Sequence, residues 1–469
     1  MTRPSSDSSG PAPPAAPQEP GASRFWLLLA ALAYLVFVVY GSLVPLSFRA
    51  LPWTEALDRF RSIPYLALGV GSRADWVANI LLFIPLLFLW SGVAWPRRRV
   101  AWRFPAAVLL LAAALALSVA IEFVQLYFPP RTVSLNDIVA ETAGAAIGIA
   151  LWWALGGPTL RWLHTLPLAR GTVNLAQRLL MVYLLVLFGY NLLPLDLTIS
   201  PVEIFHKWRA GKVIWLPFTA PHADAAQRAY DLVTDAAIWV PAAVLWQLAM
   251  HKTRWQTWLS AVAAAALLEL LQLFVYSRVT DSTDVVTAAV GAAIGVALVR
   301  SRAGPARAGA PPMARGMLLW TLAAVGWIAL LAAVFWYPFD FNVDRVFLRD
   351  RLAGLQRVPF EAYYFGTEFR AVTEVLRKSL FVAPLGFLLF RIGRGVPAVW
   401  PRALVHTGML LLVAVVAAAI EAGQLMLPTK NADFTDGALE FLGGATGYFG
   451  SLFVAERLYP ATRGSVRDG

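Results

Sequence analysis

The chain has 469 residues, 59% of them hydrophobic and only 14% charged, with a formal net charge of +11 and no cysteine. A soluble globular protein carries about a quarter charged residues, so this composition points away from one, and the missing cysteine excludes disulfides and thiol chemistry. The basic residues lie in connections between apolar blocks, which fits anionic lipid and membrane orientation rather than nucleic acid.

Residues 1–23, rich in Pro, Ser and Ala, read as a disordered lead. The blocks Leu27–Val39, Ile80–Leu89, Ala106–Ala120 and Leu411–Ile420 contain no charge. With their flanks they reach the ~20 residues that cross a bilayer as a helix. Ala- and Leu-rich runs of that length fit helices better than barrel strands. In chain order the spans are expected near 24–44, 76–95, 105–127, 137–156, 176–194, 232–250, 257–276 and 284–300. The last four are expected near 316–336, 373–391, 403–426 and 437–456. The fold class is therefore an all-α polytopic integral membrane protein with about 12 transmembrane helices. An even number of spans puts both termini on one side. Arg97, Arg98, Arg99 and Arg103, then His251, Lys252 and Arg254, then Arg391, Arg394 and Arg402 crowd the short loops of that side, which places the termini in the cytoplasm. The longer connections 45–75 and 338–372, with Trp53, Arg61, Tyr363 and Arg370, are expected to form re-entrant or interfacial segments.

One set of offsets recurs without slippage. Glu122, Gln125, Arg131, Asp137, Gly144 and Gly148 are matched by Glu269, Gln272, Arg278, Asp284, Gly291 and Gly295. Glu421, Gln424, Lys430, Asp436, Gly443 and Gly447 repeat them with Lys in place of Arg. Tyr40 and Pro45, Tyr190 and Pro194, and Tyr337 and Pro338 close the first span of each copy, and Pro85, Pro241 and Pro384 lie in the second. The expected organisation is three parallel four-span repeats over 24–160, 175–300 and 316–457, with a linker at 301–315 and a tail at 458–469. Four spans per copy bring every ladder to the same membrane face.

Within a copy, Glu and Gln share a helix face near the end of the third span. The basic residue lies in the following loop, where it either fastens that loop or serves a site. The Asp sits three residues after Ser134, Asp281 or Asp433, the spacing of an N-cap with an acidic residue at N3. Glycines four apart let another helix approach closely. A carboxylate near a span end must face protein or water, so Glu122, Glu269 and Glu421 read either as functional or as structurally paired. The copies differ in charge. Asn79, Asp235 and Lys378 share one position, and one turn after the helix-start Asp stand Glu141, Ala288 and Glu440.

At these residues the chain resembles the VanZ-like membrane family, named for a teicoplanin-resistance protein. Glu122-Phe-Val-Gln125, Arg131, Asp137, Gly144 and Gly148 carry the family pattern, and Asn79 with Pro85-Leu carries its earlier part. Pro384-Leu385-Gly386 matches the proline motif in the third copy. The family Asn after the Asp is Glu141, Ala288 and Glu440 here, and the earlier Asn is kept only as Asn79. The resemblance implies a multi-pass protein of the bacterial cell membrane, with membrane lipids as surroundings. A lipid-linked envelope precursor or a glycopeptide is the implied ligand, with glycopeptide sensitivity as the phenotype.

The leading reading is a non-enzymatic protein that binds or moves such a molecule, without cofactor or metal. A transporter or channel is the first alternative. The second is a membrane-embedded hydrolase or transferase using paired carboxylates, Glu122 and Asp137 first. Against that stands the lack of a His-Glu-x-x-His metal motif, a nucleophile elbow or any ladder histidine. A scaffold for partner proteins completes the set, and oligomeric state is left open.

Overall fold

The computed structural model describes residues 20–65, 70–95, 100–129, 131–165, 172–198, 200–220, 225–250, 253–299, 313–354, 358–360, 368–397, 399–430 and 432–458. Most of the expected lead, linker and tail lies outside these residues, as do Arg97–Arg99, His251, Lys252 and Tyr363.

The described chain is almost entirely helical. Long α1 (Pro20–Leu43) is followed by short α2 (Trp53–Arg61), then by long α3 (Val70–Ala94), α4 (Arg103–Gln125) and α5 (Leu135–Thr165). The same succession of one long helix, one short and three long returns twice. It runs through α6 (Thr172–Leu192), α7 (Pro201–Arg209), α8 (Ala225–Ala249), α9 (Arg254–Gln272) and α10 (Ser282–Leu298). It runs again through α11 (Met313–Trp336), α12 (Arg345–Gly354), α13 (Glu368–Gly395), α14 (Arg402–Leu425) and α15 (Phe434–Leu458). The only named sheet among the described residues is a parallel pairing of β1 (Val213–Ile214) with β2 (Thr280–Asp281).

Among the described residues, eight helices are long and apolar enough to cross a membrane: α1, α3, α4, α5, α6, α8, α11 and α14. Helices also occupy the other four expected spans, and physical reasons keep these below that standard. α10 has 17 residues, and α13 carries Glu374, Arg377, Lys378, Arg391 and Arg394. α9 and α15 contain Glu269 and Glu440 among other polar residues. Apolar side chains project outward from the long helices. Leu185 is 75% and Leu109 72% exposed, a surface that lipid covers at no cost and water does not. Exposed Trp26, Trp53, Trp102, Trp208 and Trp255 lie at or close to helix ends, where indoles suit the membrane interface.

Residue contacts divide the chain into two compact units, one containing Asn79–Leu160 with α1 and α2, the other containing α6 to α15. In the first, Val38, Phe83, Leu86, Ile121 and Ala145 form the core. In the second, one core surrounds Trp239, Ala243 and Ala292 and another surrounds Leu331, Leu385, Leu389 and Tyr448. The ladder glycines explain this packing. A Cβ on Gly144 or Gly148 would strike the backbone carbonyls of Ile80 or Ile84 in α3. Gly291 and Gly295 meet Ala236 and Val240 of α8 in the same way, and Gly443 and Gly447 meet Ser379 and Ala383 of α13. Each fourth long helix thus lies backbone to backbone on the second, an approach that only glycine allows.

The peptide bonds before Pro45, Pro194 and Pro338 are cis, and Leu46, Leu195 and Phe339 follow with φ of 60°, 59° and 66°. The matching geometry aligns the three prolines.

Candidate functional site

The ladder begins at a helix N-terminus, where backbone N–H groups have no partner inside the helix. In α5, α10 and α15 the N-terminal side chains satisfy part of this need. The Asp281 carboxylate accepts the Thr283 N–H at 2.8 Å, and Asp433 accepts that of Thr435 at 2.9 Å. Ser134 Oγ accepts the Asp137 N–H at 3.3 Å. The N–H of each capping residue turns to the preceding long helix. Ser134 donates to Glu122 Oε2 at 3.0 Å, Asp281 to Glu269 at 2.8 Å and Asp433 to Glu421 at 3.0 Å. In a capping box the N3 side chain makes this bond. Here Glu makes it from another helix, a pairing that spacing alone assigned to the Asp.

The helix-start Asp faces the second long helix instead. Asp137 accepts the Asn79 amide at 2.7 Å and the Ser134 hydroxyl at 2.8 Å. Asp436 forms an ion pair with Lys378. Asp284 has Asp235 as its counterpart, and these two half-buried carboxylates act on each other electrostatically. The divergent triad of Asn79, Asp235 and Lys378 is therefore the partner position of the ladder Asp. Glu141 and Glu440 are buried one turn further on, as is Ala288.

Gln and Arg tie the loop to the end of the first long helix. Gln125 donates to the Ser42 carbonyl at 2.9 Å and Gln272 to Asn191 at 3.2 Å. Arg131 donates to the Gly41 carbonyl at 2.5 Å. Arg278 donates to Leu193 at 2.7 Å and also to Tyr190. These carbonyls sit at a helix C-terminus, where a cation is favoured. Burial holds the Arg278 guanidinium below its ordinary value, and burial does the same to Lys430. Gln424 is buried, and Trp336 Nε1 of α11 donates to the Ile420 carbonyl within α14 at 3.0 Å.

Two cations escaped the sequence reading. Lys207, fully buried in α7, donates to the carbonyls of Gln272 at 2.5 Å, Val275 at 2.9 Å and Leu273 at 3.3 Å. Arg351 of α12 donates to the Leu427 carbonyl at 2.8 Å and to that of Lys430. Each lies thirteen residues after its cis proline, Pro194 or Pro338, and that shared offset is the signal that would have found them. Burial, with Lys212 nearby, pulls the Lys207 ammonium down to about 8, so it is charged and donating at neutral pH. Among the described residues, no three His, Asp or Glu converge in a group that could hold a metal.

The geometry binds one ladder three times at the same offsets, and a single family accounts for all three. The VanZ/LLP1 family model matches residues 25–156, 180–303 and 324–455. The chain belongs to the VanZ/LLP1 family. No curated protein and no solved structure matches it. The three VanZ/LLP1 segments contain every ladder position, from Glu122 to Gly447. They also contain Lys207 and Arg351, which tie α7 and α12 to their ladder loops.

Proposed function

We propose that this VanZ/LLP1 protein is a non-enzymatic membrane protein that binds or moves a lipid-linked or amphipathic molecule of the cell envelope. In this reading the chain crosses the membrane twelve times in three parallel four-span repeats, with both termini in the cytoplasm. The ladders then stand at the extracytoplasmic ends of the spans. The observation that carries the non-enzymatic reading is the employment of the carboxylates. Glu122 is bonded to the Ser134 backbone, and Asp137 to Asn79 and Ser134. An acid–base pair needs a carboxylate within reach of substrate, whereas these hold helix ends together. The ladder is a clasp that shapes the extracytoplasmic ends, and ligand contact falls to the surfaces around it.

The test is binding of envelope lipids and a glycopeptide to the purified protein, together with envelope composition after deletion of the gene. Binding with altered composition is expected. An unchanged envelope and no binding would overturn the reading. A transporter is the second reading, favoured by one observation: Asp235 faces Asp284 where the other segments have an amide or a cation. Flux in reconstituted vesicles that Asp235→Asn abolishes is what that reading requires.

A further inference from the structure

We propose that a cleft beside α2 in the first segment binds the phosphate group of an amphiphile, with Arg59 and Arg131 as its anion ligands. The proposal rests in part on the lipid-binding reading above, since it names the chemical class and the place of one ligand.

Its origin is a cation that is engaged differently. The seventh residue of each short helix is basic: Arg59 in α2, Lys207 in α7 and Arg351 in α12. Lys207 and Arg351 donate to carbonyls near the ladder loop. Arg59 instead forms an exposed ion pair with Glu55. Between α2 and the loop after α4 lies a cleft of about 260 Å³. Arg59 and Arg131 supply its basic lining, and Ile63, Leu126 and Val133 its apolar wall.

That lining suits an anionic headgroup with a hydrocarbon tail. A guanidinium offers a planar fork of N–H donors that matches phosphate oxygens. Arg131 is already positioned by the Gly41 carbonyl, which lowers the ordering cost of binding. Arg59 is paired with Glu55 at 2.6 Å, but the two side chains are 58% and 46% exposed. Exposed pairs contribute little, so phosphate exchanges for Glu55 at small cost. The cleft lies between the end of α4 at Gln125 and the start of α5 at Leu135. Those are the ends of two apolar helices, the depth at which headgroups meet water.

The experiment titrates full-length protein in a neutral maltoside detergent with dodecyl phosphate and, separately, with inorganic phosphate. Dodecyl phosphate is expected to bind and inorganic phosphate to bind at least about tenfold more weakly, as loss of the apolar contact requires. Arg59→Gln removes one anion ligand and should raise the dodecyl phosphate Kd about tenfold. Val133→Trp fills the apolar half without touching an arginine and should do the same, which guards against misfolding of any one variant. Equal affinity in wild type and both variants overturns the cleft, as does equal binding of inorganic phosphate or no binding of dodecyl phosphate. The lipid-handling reading survives each of these results if gene deletion still changes envelope composition.

Discussion

At the residue scale, the ladder Glu is the group whose place the structure changes most. A carboxylate at a span end invites a catalytic or transport role, yet the same backbone bond engages it in all three segments. Glu122→Ala leaves the Ser134 N–H buried without that acceptor. We expect a loss of about 1–3 kcal/mol, the cost of an unsatisfied buried donor, read as a lower melting temperature in detergent. Asp235→Asn should act in the opposite sense. It replaces one of two facing carboxylates with the amide found at Asn79, which donates to Asp137. Melting is expected to shift upward by an amount equivalent to about 1 kcal/mol, and a downward shift would refute like-charge repulsion at this pair. The chemical types of these residues and their shared offsets were legible in the sequence. Their partners were not, because Glu and its acceptor site lie on separate helices whose docking depends on the glycine contacts.

At the element scale, the short helices α7 and α12 are fastened to the loops that they face. In the second segment one ammonium serves three carbonyls near the end of α9. Lys207→Met removes these donors and should destabilise the protein by about 2–3 kcal/mol, in line with bonds to charged groups. The substitution has a pH signature as well. Lys207 sits at about 8 when folded, below its ordinary value of 10.5. Between these values the unfolded chain binds more protons, so wild-type stability should gain a rising contribution as pH climbs from about 8 toward 10.5. Lys207→Met should lack that contribution when melting is followed across the same range. The short helices themselves were only partly legible. The expected interfacial connections do contain α2 and α12, but α7 lies in a connection that hydropathy left unremarked. α7 is nine residues long, and its mixed Pro-Val-Glu-Ile-Phe-His-Lys-Trp-Arg sequence carries no span signal.

At the scale of the whole molecule, the orientation is open to direct measurement. The natural chain has no cysteine, so single introduced thiols report without background. Thr132→Cys in the first ladder loop should react with an impermeant maleimide in intact cells. Arg394→Cys, at the end of α13, should react only after permeabilisation. The reverse pattern would invert the proposed topology and put the ladders in the cytoplasm. Both positions are exposed, so neither thiol is shielded by the fold.

Composition and hydropathy by themselves determined that this is a helical, multi-pass membrane protein, because long charge-free runs leave helices as the economical way to satisfy backbone hydrogen bonds in lipid. Fixed offsets likewise determined where the ladder positions and close-packing glycines fall. Tertiary structure alone decided what those positions touch. Glu reaches the cap of the next helix, Asp faces the second helix, and Arg131 and Arg278 hold the end of the first. It also separated Lys207 and Arg351, which bond the carbonyls of their ladder loops, from Arg59, which pairs with Glu55 and lines a cleft. The physical reason is that offsets record distance along one chain, whereas hydrogen bonds and cavities depend on which helix faces are brought together in space.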